Sequence, residues 1–155
     1  NPRAYSAGAM IALATDGIYM RTGAVLGAAT PVDGQGTKLA EKYVSAMRGE
    51  FRALAEEQGL DPRIAEAMVD ETIEIPNVKP AGKLLTLSTG EALQLGFAKA
   101  EVKDLEAFCR KLEAAGVKFD RPYSKNAALG LGLAFFTDPF GTYVELTEGL
   151  GAVVK

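Results

Sequence analysis

From Lys38 to Gln58 the apolar residues Leu39, Tyr43, Met47, Phe51 and Leu54 recur at steps of three and four, and Gly59 ends the run. That spacing predicts one long helix with a single apolar stripe, which is stable only if another layer covers it. The neighbouring segments are built to supply that layer. "GIYM", "GAVLGAA" and "KLLTL" are apolar runs too short for anything but strands, and "RTG" parts the first two as a turn. Further helices are announced by their caps. A helix is expected from Ser6 to about Ala14; Asp61 with Pro62 opens another, Ser88 and Glu91 have capping-box spacing ahead of Gly96, and Asp104 caps a helix ending at Gly116. "VKFD", "LGLAFFT" and "TYVELT" follow as strands, the last two joined by the turn "DPFG". "TPVDGQGT" reads as a surface loop. Helices and strands so interleaved predict a mixed α/β (α+β) fold, and 155 residues with 48% hydrophobic content can bury a core.

The chemistry open to the chain is narrowed by one absence: it has no histidine. Ser-His and Cys-His mechanisms and imidazole metal ligation are therefore excluded from a single copy, leaving Lys, Asp, Glu, Tyr and Cys as bases. The lone cysteine, Cys109, cannot form an internal disulfide, and its helical spacing beside Phe108 and Leu112 marks a core residue. A net charge of −3 without a basic cluster argues against nucleic acid as partner. No apolar run is long enough to span a bilayer. The sequence begins on Asn1 without a charged leader, the expectation for a fragment or processed product.

Ser6, followed by the small residues Ala7 and Gly8, stands at the head of the first helix. It is either an ordinary N-cap or a nucleophile whose oxyanion would form beside unpaired backbone N–H groups. A nucleophile needs a base, and without histidine that is a lysine. Its pKa must fall by roughly 3 units, on the order of 4 kcal/mol of desolvation, to be half neutral at pH 7. Lys42 shares a strip of the long helix with Ala46, Gly49 and Ala53, small residues against which another segment could press and dry the amine. The alternative is a solvated lysine at a helix edge, and Lys38 is a nearby competitor.

These residues carry a resemblance. "RAYSAGAMIALATDGIYMRTGAVLGAATPV", "EKYVSAMRGEFRALAEEQGLDPRIAEAMVD" and "AGKLLTLSTGEALQLGFA" resemble, in order, the nucleophile region and following segments of NfeD-type membrane-associated serine proteases, of ClpP/crotonase-like fold. The likeness covers about residues 1–100. It implies a Ser-Lys dyad, with Ser6 as nucleophile, Lys42 as base and the Ala7 N–H as part of the oxyanion hole. It also implies a polypeptide substrate and a membrane-associated, extracytoplasmic setting. Members carry strands and a glycine-rich oxyanion segment ahead of the serine; none precede it here, so the first domain is expected to be partial and its activity impaired.

Residues 101–155 resemble something else. "DLEAFCRKLEAAGVKFDRPY" and "LGLAFFTDPFGTYVELTEGL" are similar to the closing βαβββ module of the glyoxalase/vicinal-oxygen-chelate superfamily, whose members are usually cytoplasmic. Glu145 falls where many members ligate a divalent metal, and alternation puts it on one strand face with Tyr143 and Thr147. The first-strand ligand position aligns near Phe97 or Lys99, neither of them a metal ligand, so a metal is expected only if another chain completes the site. The chain thus reads as a splice of two partial domains joined near "LGFAKAEVKDLEAF". Besides a peptidase, the expectations are a metal-dependent glyoxalase- or dioxygenase-like protein, or a non-catalytic fragment that self-associates through strand edges as a homo-oligomer.

Overall fold

The structure, a computed structural model, describes residues 3–150. It divides into two compact units, Asn1–Glu101 and Val102–Lys155.

In the first unit β1 (Arg3–Tyr5) runs directly into α1 (Ala7–Leu13). Then come β2 (Tyr19–Arg21), β3 (Val25–Gly27), α2 (Glu41–Glu57), α3 (Pro62–Val69), β4 (Thr86–Ser88), α4 (Thr89–Gln94) and β5 (Ala100–Val102), at whose end the second unit begins. The central sheet has the order β1-β3-β4, with β1 parallel and β4 antiparallel to β3; β2 pairs with β5. Leu26 and Leu87 face each other across the β3–β4 register and are buried with Leu13, Val44, Phe51, Met68, Val69 and Phe97. Three caps form as their sequences dictate. Asp61 accepts from the Arg63 amide, Ser88 and Glu91 close a reciprocal capping box, and Asp104 accepts from the Ala107 amide.

Two expectations for the long helix are corrected. It begins at Glu41, not Lys38. The Asp33 carboxylate accepts the amides of Gln35 and Thr37, reversing the chain so that Lys38 pairs with Val32 in an isolated bridge instead of entering the helix. The stripe is also altered at one position: Phe51 is fully buried and Met47 and Leu54 pack partly buried against the core, but Tyr43 is 53% exposed and Val44 and Ala55 take fully buried places. The apolar residues at 43 and 44 compete for the inward position, and the β-branched valine occupies it.

α2 and α3 are joined by two ion pairs. Arg52 meets Glu66 at 2.8 Å, and one turn away Arg48 meets Asp70. The numbers rise on one helix as they fall on the other, so the helices are antiparallel and the pairs form two rungs. The Arg52 rung is the more exposed of the two: Arg52 is 52% and Glu66 14% exposed, against 27% for Arg48 and 7% for Asp70.

In the second unit α5 (Leu105–Ala114) is followed by an antiparallel sheet, β6 (Phe119–Asn126), β7 (Leu131–Thr137) and β8 (Tyr143–Glu148), in that order. Ala134 and Cys109 are its most buried side chains. Glu148 ties helix to sheet, accepting from the Leu105 amide at 3.1 Å and the Tyr123 hydroxyl at 2.7 Å. That acceptor, with some desolvation, pushes the Tyr123 hydroxyl up to about 12. Burial likewise raises the Cys109 thiol, reinforced by Glu113 and Glu148. β5, the strand that would open a βαβββ module, pairs with β2, so this sheet has three strands.

Candidate active site

Ser6 is the hinge between β1 and α1, and its backbone has φ 53° and ψ −122°. For a residue with a Cβ this is a sparsely populated conformation, costing of order 1–3 kcal/mol, which persists only when the surroundings enforce it. Here they do. The Ser6 amide donates to the carbonyls of both Gly27 and Ala28, each at 3.2 Å, and Ala28 itself has a positive φ of 45°. Gly27 makes this corner feasible: its φ is 138°, and a Cβ there would lie 2.4 Å from the Leu85 carbonyl oxygen.

The serine is not a working cap. Its side chain accepts no capping hydrogen bond, and its hydroxyl has no partner among the described residues. The Ala7 amide, first in α1, has no acceptor among them either, while the amides of Ala9 and Met10 are taken by the Ser6 carbonyl. A strained strand-to-helix turn that presents a free hydroxyl beside a free backbone N–H is the arrangement of a nucleophile elbow.

The corner rests on the end of α3. A helix leaves its last four carbonyls without intrahelical donors. In α3 all four are satisfied: Glu66 by the Asp70 amide, Ala67 by that of Leu85, Met68 by that of Ala29, and Val69 by the Thr30 hydroxyl. The segment that brackets Ser6 is thereby laid onto the helix end. Asp70 closes that end and accepts from the Thr72 amide and hydroxyl as well as from Arg48. Burial alone would raise the Asp70 carboxyl, but these donors together hold it below the usual range.

Lys42, expected as the base, lies in the first turn of α2, exposed and without a hydrogen bond or ion pair among the described residues. Ala46 and Ala53 of its strip are exposed and Gly49 half-buried, so nothing in the described chain lies over the amine to dry it. Lys38 is bound to Glu71 at 2.9 Å, and this hydrogen bond raises its pKa, opposite to what a base requires. The lysine that is desolvated is Lys79, 5% exposed, and burial depresses its pKa against the pull of Asp70, Glu71 and Glu74. Its amine is occupied, donating to the carbonyls of Glu71 and Ile73.

Glu145 is exposed on β8, paired across the sheet with Phe135, and accepts from the Thr147 hydroxyl at 2.6 Å. Among the described residues no three His, Cys, Asp or Glu side chains come together as a metal site would need. Phe97 is a core residue of the first unit, and Lys99 donates to the Asp16 carbonyl. Sequence reasoning missed the Gly27–Ala28 corner and the Arg48–Asp70 rung. Only the second had a local signal, basic residues one turn apart on α2 matched by acids one turn apart on α3.

Comparison with known proteins places these features. The family model described as NfeD1b, N-terminal domain, matches residues 1–120. Membrane protein NfeD1b of Bacillus subtilis (strain 168) is 41% identical over 157 aligned residues, 100% of this chain; the chain spans 36% of that protein's length. Among solved structures, a serine-to-alanine variant of the 1510-N membrane-bound stomatin-specific protease is 25% identical, with TM-score 0.56 over 70% of this chain and 49% of that one. A lysine-to-alanine variant of the same protease in complex with a substrate peptide gives 25% and 0.57 over 70% and 47%. The match to one relative runs through residues 95–108, where a splice was expected. Neither a chimera nor a glyoxalase-like module receives support.

Proposed function

From a chain that belongs to the NfeD1b N-terminal domain family, we propose a serine-peptidase module in which Ser6 is the nucleophile and a polypeptide the substrate. The observation that carries this reading is the strained Ser6 turn with its unbonded hydroxyl. Ser6 Oγ attacks a peptide carbonyl carbon, Lys42 Nζ takes the hydroxyl proton, and the Ala7 N–H donates to the oxyanion. The same proton passes to the leaving amine, and water then releases the acyl group from Ser6. Lys42 serves as base only when water is removed from it, which the proposal assigns to a polypeptide laid along Ala46, Gly49 and Ala53. The similar protease, named as membrane-bound and solved with a substrate peptide, supports this substrate class and a membrane-associated setting for the whole protein. Among the described residues no helix is long and apolar enough to cross a membrane.

Labelling with a peptidyl phosphonate tests the dyad. The unaltered chain is expected to gain one adduct, on Ser6, and Ser6→Ala none. Lys42→Ala should slow labelling by about a hundredfold or more, the usual contribution of a positioned base. Equal rates in Lys42→Ala and the parent would remove Lys42 from the mechanism, and an unlabelled parent would remove Ser6.

A further inference from the structure

The Arg48–Asp70 rung lies where two chains of contacts meet. One leads from Ser6 through the carbonyls of Gly27 and Ala28, then through Ala29 and Thr30 onto the Met68 and Val69 carbonyls, and ends at Asp70. The other starts at Asp70 and passes through Arg48 into α2, the helix that carries Lys42. The Asp70 carboxylate has donors from Thr72 and Arg48, and Arg48 reaches 3.4 Å to Glu41 in the first turn of α2, beside Lys42. The side chains of the outer rung, Arg52 and Glu66, bond to each other and to none of these side chains. A surface pair of that kind contributes little to rigidity, whereas removing one partner of a buried pair leaves a charge without compensation.

We propose that Arg48 and Asp70 are positioning residues for the Ser6 site: their part-buried ion pair, with the Asp70 carboxylate on the buried side, locks the α3 end that seats the Ser6 corner to the helix that bears Lys42. Neither touches a reacting atom. The inference rests on the peptidase reading for its kinetic consequence, but its geometric consequence is measurable whether or not Ser6 reacts.

The test uses spin labels at two exposed positions, Ile11→Cys on α1 and Tyr43→Cys on α2, in the full chain with the buried Cys109 replaced by alanine. Pulsed dipolar spectroscopy is expected to give a narrow distance distribution in this parent and with Arg52→Met added. Asp70→Asn or Arg48→Met should at least double its width, with Arg48→Lys in between because it keeps the charge and loses the planar fork. Phosphonate labelling of Ser6, measured below each melting temperature without the spin labels, should fall at least tenfold in Asp70→Asn and not in Arg52→Met. If Asp70→Asn does not fold, Arg48→Lys carries the comparison. Distributions of equal width in the parent and the folded Arg48 variants would overturn the proposal. A parent that is never labelled would sink the peptidase reading and leave the distances to decide this one.

Discussion

Replacing Gly27 with alanine is expected to destabilise the first unit by about 2–5 kcal/mol and to lower phosphonate labelling of Ser6 at least tenfold. Two penalties combine. The φ of 138° is one that a residue with a Cβ rarely adopts, and the added carbon would lie 2.4 Å from the Leu85 carbonyl oxygen and 3.0 Å from the Thr86 Cα. Both neighbours are backbone, so relief requires β3 and β4 to part. The carbonyls of Gly27 and Ala28 move with β3, and they are the acceptors that hold the Ser6 amide. Gly23→Ala is the control: φ is 73° there, but nothing lies within 4 Å of the added carbon. It should lose only the conformational part, about 1 kcal/mol. Thermal melting and labelling of the two variants check the prediction; equal losses would mean that close approach at Gly27 is not what shapes the corner.

Phe51→Ala is expected to remove about 3–5 kcal/mol, the usual range for truncating a buried phenylalanine. Phe51 is 0% exposed, with Phe97 one of the two largest fully buried side chains among the described residues, and stands between Val44 and Ala55 on the inward face of α2. Small domains have only about 5–15 kcal/mol in total, so roughly a fifth or more of the stability rests on this ring. Tyr43→Ala, at the position the periodicity placed in the stripe, should fall within about 1 kcal/mol because that side chain is 53% exposed. Urea denaturation followed by circular dichroism separates the two. A Phe51→Ala loss below about 1.5 kcal/mol would show that α2 is anchored elsewhere.

The parts of the fold that could be read beforehand are those decided within a few residues. Asp61 with Pro62, Ser88 with Glu91, and Asp104 each satisfy amides two or three positions ahead, and each cap formed. The start of α2 was misread because Asp33 draws in two amides that the apolar spacing ignores. The helix face was legible at Met47, Phe51 and Leu54 but not at Tyr43, because Tyr43 and its apolar neighbour Val44 compete for one inward place and only packing chooses between them. For the site, Ser6 was legible as a serine opening a helix, but its conformation was not. That conformation depends on Gly27 and Ala28, about twenty residues away, and through them on α3. Lys42 had helical neighbours of the right size, yet periodicity does not reveal what covers them.

The filled end of α3 has a consequence for motion. Beyond its own capping amide, its carbonyls receive donors from two separate stretches of chain, Ala29 with Thr30 and Leu85, so that end does not fray as helix ends ordinarily do. The amides of Ala29 and Leu85, and behind them that of Ser6, are bound into one cooperative unit and should exchange with deuterium at a common rate. The hydroxyl is thus mounted on one of the stiffer places in the molecule, and whatever gating a substrate requires must come from elsewhere.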